Sequence, residues 1–180
     1  MSGEPAGLRP LPRESLLILR FGIIILERMN TVKILRETAL FRGLDERLIN
    51  ILANLAETID VPAETVIFAE GMPSDALYVI ASGSVQVIKD TPGSTEAVIG
   101  ELGTGEVIGL LSLFTGGDGG ETRAVTVRSR EPVMLVAITR ESFNKLVSNN
   151  IHAAYQVLLS ATQYFIHAFN EPGSSKEVVQ

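Results

Sequence analysis

The sequence predicts a mainly β domain, an eight-stranded jelly-roll-like barrel with helices at both ends. Three observations lead there. Residues 57–138 divide into short runs rich in Val, Ile and Tyr at roughly ten-residue spacing. Gly, Pro and Ser clusters separate the runs, and the flanking segments switch to helical periodicity. A length of 180 residues with 46% apolar content is enough for one domain with its own core. The net charge of −6, without clustered Lys and Arg, argues against a nucleic-acid surface. Cysteine is absent from the sequence, which excludes disulfides, thiolate metal sites and cysteine catalysis.

Residues 1–30 read as an N-terminal extension. The Pro- and Gly-rich start, up to Arg13, is expected to be disordered. LLILRFGIIIL (16–26) follows, interrupted by Arg20 and too short for the roughly 20 apolar residues that span a bilayer. Glu27-Arg28-Met29 stands where a signal peptide would carry small residues for cleavage, so no transmembrane span and a cytoplasmic location are expected. The segment stays open between an extra helix on the domain or a partner, an extension upstream of a start at Met29, and a membrane-surface tether.

From residue 31 to 40 the apolar residues Val32, Ile34, Leu35, Ala39 and Leu40 fall at helical spacing. Phe41-Arg42-Gly43-Leu44 breaks the pattern, and Asp45 is the expected N-cap of a second helix over 46–56. Leu48, Ile49, Leu52 and Leu55 form its core-facing stripe. Strands are expected at 58–61, 65–69, 76–81, 84–89, 96–101, 107–108, 122–128 and 132–138. Ser82-Gly83 reads as a two-residue hairpin turn.

Helices return at 139–170. The first is capped at Thr139, and from Leu146 to Asn170 there is no Asp, Glu, Lys or Arg. Ile151, Tyr155, Leu158, Thr162, Phe165 and Phe169 make a coiled-coil seam, while Ala154, Val157, Ala161, Tyr164 and Ala168 make a parallel stripe. One stripe is expected to dock on the barrel and the seam on a second copy. The segment is too polar for a membrane span, with Asn149, Asn150, His152, Gln156, Ser160, Gln163 and His167 inside it. Residues 171–180 read as a flexible tail.

The stretch richest in chemistry is GEVIGLLSLFTGGDGGETRAVT (105–126). Glycines let a ligand approach the backbone, a short helical turn after Gly109 offers N–H groups to an anion, and Arg123 supplies a countercharge. Lys89 is the only other cation between Arg47 and Arg123. Arg123 could instead be a surface strand residue paired with Glu121.

With its flanks this stretch resembles the cyclic-nucleotide-binding domain of the catabolite activator protein superfamily. The residues carrying the resemblance are Leu40-Phe41 with Gly43-Leu44-Asp45, Glu70-Gly71, Ala76-Leu77-Tyr78-Val79-Ile80 and Ser82-Gly83-Ser84-Val85. Leu102-Gly103-Thr104-Gly105-Glu106-Val107-Ile108-Gly109 and Arg123-Ala124-Val125-Thr126-Val127 continue it, so that it covers about 31–170. It implies a ligand site at Val87, Gly109, Leu110, Leu111, Ser112, Arg123 and Ala124, with Ser112 donating to a cyclic phosphate and Arg123 pairing its charge. The implied ligand is cAMP or cGMP, and no other cofactor is required.

Three departures bear on that site. Leu110 stands where the family pattern has a glutamate that accepts from the ribose 2′-hydroxyl, and the missing acceptor costs about 1.5–3 kcal/mol. The loop 115–121 is longer and richer in glycine than the family's usual connection, and Ala124 replaces a common Ser or Thr. Two functions are therefore expected: a regulatory module that binds a cyclic nucleotide and signals through its C-terminal helix, or a ligand-free scaffold for dimerisation and protein association. An enzyme is not expected. No nucleophile, base and oxyanion set can be assembled, and His152 and His167 lie about four helical turns apart, away from every strand. That placement also excludes the metal-holding barrel of cupin enzymes. The DNA-binding helix-turn-helix of transcription-factor relatives has no counterpart before Gln180, so DNA binding in cis is not expected.

Overall fold

A computed structural model describes residues 13–89, 97–114 and 122–170, with side chains described from 25 to 167 within those spans. The expected turn at 91–94, the loop 115–121, the tail 171–180 and the side chains of Ala168 and Phe169 lie outside the described residues.

The first helix, α1 (Arg13–Glu37), runs unbroken through the expected division at residue 30. Its C-terminal turn is closed by Thr38, whose Oγ1 donates to Ile34 O at 2.8 Å. A 3-10 turn (Ala39–Phe41) then drops Leu40 and Phe41 into the core. The second helix, α2 (Glu46–Leu55), begins at Asp45, whose Oδ1 accepts from Leu48 N at 2.8 Å. Leu48, Ile49 and Leu52 are buried along one face, and Leu55, the fourth residue of the expected stripe, is half-buried.

Eight strands follow: β1 (Glu57–Val61), β2 (Val66–Phe68), β3 (Ala76–Ser82), β4 (Ser84–Lys89), β5 (Ala97–Gly103), β6 (Val107–Ile108), β7 (Thr126–Ser129) and β8 (Val133–Thr139). They form two four-stranded antiparallel sheets, in the orders β1-β8-β3-β6 and β2-β7-β4-β5. The eight-stranded jelly-roll architecture is present, as a two-sheet sandwich and not as a closed barrel.

The hairpin expected at Ser82-Gly83 does not exist. Strand β3 belongs to one sheet and β4 to the other, so Ser82-Gly83 is a corner between sheets. Glycine is needed there because the backbone has φ +84° and a Cβ would lie 2.6 Å from Pro132 O. Two apolar strands joined by Ser-Gly look the same in sequence whether they pair or part.

Strands β3, β6 and β8 of the first sheet are buried on both faces and alternate between two cores, while the edge strand β1 is largely exposed. Leu77, Val79, Val136 and Ile138 face the helices with Leu35, Leu40, Leu52 and Phe143. Ile80, Ile108, Val133 and Leu135 face the other sheet with Val85, Val87, Leu102 and Val127. Two helices close the chain, α3 (Arg140–Ser148) and α4 (Ile151–Asn170). Thr139 caps α3 by accepting from Ser142 N at 3.2 Å.

Helix α4 buries Ala153, Val157, Ser160, Ala161 and Tyr164. The inner stripe thus includes Ala153, with Ala154 half-buried. Ile151, Tyr155, Leu158 and Thr162 are exposed, while Phe165 packs partly on the helix-side core and Ile166 is exposed in its place. His152 and His167 are both exposed. Gln156 ties α4 to α2: its Nε2 donates to Asp45 Oδ2 at 3.0 Å and its Oε1 accepts from Asp45 N at 3.2 Å.

Candidate functional site

The segment that leads into β7 is held by the loop after β2. Arg123 N donates to Met72 O at 2.8 Å, and Gly71 N donates to Arg123 O at 2.9 Å. This main-chain grip turns the Arg123 side chain inward, where it is only 4% exposed. Arg123 is therefore not a surface strand residue, and Glu121, its expected partner in that reading, lies outside the described residues.

The guanidinium is stacked and only partly hydrogen-bonded. Its carbon lies 4.1 Å from the centroid of the Phe68 ring and 5.5 Å from that of Tyr78. Nη2 donates to Ala76 O at 2.9 Å and meets the exposed Asp75 carboxylate at 3.3 Å. Nε and Nη1 are buried and have no hydrogen-bond acceptor among the described residues. Burial pushes the Arg123 guanidinium down from its ordinary value, opposed by Tyr78 and Asp75. Burial likewise raises the Tyr78 phenol, opposed by Arg123. Buried donors without partners are costly, and among the described residues Arg123 finds no acceptor for two of its nitrogens.

Against Arg123 lies the turn that the sequence singled out. Gly109 has φ +74°, and the 3-10 helix Leu110–Leu113 follows it. Ser112 N donates to Gly109 O at 3.1 Å, and Ser112 Oγ donates to the same carbonyl at 2.6 Å. The hydroxyl expected to meet a phosphate is thus turned onto its own helix, and Ser112 is buried. Leu110 is 1% exposed and packs in the helix-side core, whereas Phe68 and Val87 belong to the core between the sheets. Leu111 is 38% exposed.

The other expected ligand residues differ in exposure. Val87 is buried opposite Val127 in the sandwich interior. Ala124 is exposed, and its carbonyl accepts from Lys89 Nζ at 2.7 Å. Among the described residues, two surface cavities lie elsewhere. The first, of about 340 Å³, is lined by Asp60, Pro62, Ser82, Pro132 and Met134. The second, of about 230 Å³, is lined by Ile59, Val66, Ile67, Tyr78 and Leu135. None of the expected ligand residues lines either one.

Several residues at the site were not singled out by sequence reasoning. Asp75 and the Phe68–Tyr78 pair hold Arg123, and the two rings stack with centroids 6.1 Å apart. Lys89 bridges Glu70, at 2.6 Å from Oε1, and the Ala124 carbonyl. Arg140 donates from Nε to Ser112 O at 2.6 Å and from Nη2 to Ser74 O. Its sequence signal is a cation at the first residue of a helix, where the dipole disfavours one. Among the described residues no group of three or more His, Cys, Asp or Glu could hold a metal ion, and no helix is long and apolar enough to cross a membrane.

Comparison with known proteins matches this geometry to a family. The chain is 27% identical over 126 residues to the CRP-like cAMP-activated global transcriptional regulator of Mycobacterium tuberculosis, covering 70% of this chain and 54% of that protein. It is 30% identical over 142 residues to a lysophospholipase, nte1, of Aspergillus fumigatus, covering 75% of this chain but 9% of that protein. The chain therefore spans about half of one curated relative and a small part of the other. Among solved structures, the N-terminal domain of a transcriptional regulator from Streptomyces coelicolor superposes with a TM-score of 0.66 at 25% identity, over 77% of this chain and 96% of that one. The family model for the cyclic nucleotide-binding domain matches residues 58–150, from β1 through α3 and just over half of the chain, and on that match the chain belongs to the cyclic nucleotide-binding domain family, a regulatory and not a catalytic one.

Proposed function

We propose that this chain is a sensing module that takes the phosphate of cAMP or cGMP between Arg123 and the Gly109–Ser112 turn and signals through α4. The observation that carries the reading is the buried guanidinium with two donors that meet no acceptor among the described residues, stacked beside a glycine that leaves it room. A cyclic phosphodiester is a monoanion that suits charge-assisted N–H donors. The cAMP-activated relative supports this ligand class. Ser112 reaches the phosphate by turning its hydroxyl from Gly109 O. Ala124, which is exposed, lies on the nucleoside side, while the buried Val87 and Leu110 back the site from the two cores.

Output runs through α3 and α4, and the exposed Ile151, Tyr155 and Leu158 form a homodimer seam with Thr162 and Phe169. An effector protein reads that dimer. The test is a calorimetric titration with cAMP and cGMP, repeated on Arg123→Ala. Micromolar binding lost in the variant supports the module, and silence up to millimolar ligand overturns it.

A second reading, the ligand-free scaffold, is favoured by one observation. Leu110, at the position of the ribose acceptor, is committed to the helix-side core. Under that reading the titration is silent while the chain still associates through α4.

A further inference from the structure

Arg140 is the first residue of α3, a position where a cation opposes the helix dipole. Its bonds account for that placement. Nε donates to Ser112 O at 2.6 Å, Nη2 donates to Ser74 O, and its own main-chain N–H donates to Asp75 O at 2.8 Å. One residue thus grips both the 3-10 turn and the loop that presents the two acceptors of Arg123, Asp75 Oδ1 and Ala76 O. A guanidinium has the fixed fork to reach two carbonyls on separate segments, and a lysine ammonium does not.

Apolar packing surrounds this link without fixing its register. Phe114 meets Phe143 of α3 edge-to-face at 5.7 Å, and Leu110 and Leu113 share the helix-side core with Phe143 and Leu146. Such contacts tolerate sliding, whereas two directed bonds from one planar group do not.

We infer that Arg140 is a positioning residue of the nucleotide site. It sets the turn after Gly109 against the Ser74–Ala76 loop, so that Arg123 stands at a fixed place beside Gly109, and it transmits displacement of the turn to α3. The transmission rests on the proposed function of the site; the brace itself does not.

Hydrogen exchange on the full chain tests both parts, with wild type, Arg140→Gln and Arg140→Lys compared. Without ligand, Arg140→Gln is expected to raise exchange at the amides of Ser112 and Phe114 about tenfold. The β8 amides of Leu135 and Val136 should stay as in wild type, with Arg140→Lys intermediate. Unchanged exchange at Ser112 and Phe114, or an equal rise at every amide, would overturn the brace.

With millimolar cAMP, wild type is expected to change its exchange in both the turn and α3. Arg140→Gln is expected to lose the α3 response and keep that of the turn. A full α3 response in Arg140→Gln would overturn the transmission. Absence of any cAMP effect in wild type would overturn the proposed ligand and transmission together, while the ligand-free comparison would still decide the brace.

Discussion

A Cβ built on Gly109 would stand 2.2 Å from Nη1 of Arg123. That closeness links the two residues the sequence offered separately, the glycine before a short helical turn and the arginine countercharge. Gly109→Ala should therefore strain the backbone at φ +74° and expel the guanidinium at once. The backbone strain alone is expected to cost about 1–3 kcal/mol of stability, read by urea denaturation. Ligand affinity should fall with it, because Arg123 loses its seat.

Leu110 and Leu111 are neighbours with opposite fates. Leu110 is buried in the helix-side core, so Leu110→Ala is expected to cost about 2–5 kcal/mol. Leu110→Glu should be worse, since it buries a carboxylate among apolar side chains, and it would lower stability without creating a ribose acceptor. Leu111→Ala, at a partly exposed position, should cost far less. Thermal denaturation of the three variants checks the order.

Asp45 gives a pH signature. The Leu48 N–H first, then the Gln156 amide, hold its carboxyl below the ordinary carboxylate value. A depressed folded pKa means stability that is present above the unfolded pKa and lost as pH falls through the folded one. Asp45→Ala should therefore lower the melting temperature at pH 7 and have a smaller effect in strong acid. An equal effect at both pH values would contradict the cap.

The exposed face of α4 bears on assembly. Ile151 is 89% exposed, Tyr155 64% and Leu158 58%, which leaves large apolar side chains in water along one side of a helix. Sedimentation of the wild type is expected to give a dimer at micromolar concentration. Leu158→Glu should give a monomer with an unchanged melting profile. A wild-type monomer would contradict the dimer seam.

The sequence carried the element types well because its local signals agree with the fold. Asp45 and Thr139 cap the helices they were expected to cap, and the Leu48-Ile49-Leu52 stripe lies inside. Pairing between sheets was not legible. Ser82-Gly83 has hairpin chemistry, and only the strand partners, β8 and β6 for β3 but β5 and β7 for β4, distinguish a corner from a turn.

At the site, the glycine and the arginine were visible as residue types, but their surroundings were not. Phe68, Asp75 and Tyr78 reach Arg123 from β2, β3 and the loop between them, 45 or more positions earlier in the chain. Nor could spacing reveal that Leu110 turns to the helix-side core and Ser112 onto Gly109 O, since both depend on which way the 3-10 helix is rolled.

The most direct measurement is the NMR resonance of the Arg123 Nε–H group during titration with cAMP. Stacked on Phe68 and without an acceptor among the described residues, this proton should start at high field and move strongly downfield as a phosphate oxygen takes it. A resonance that stays in place while cAMP binds, or while cAMP at millimolar concentration leaves the whole spectrum unchanged, would contradict the role of Arg123 as the phosphate-reading residue.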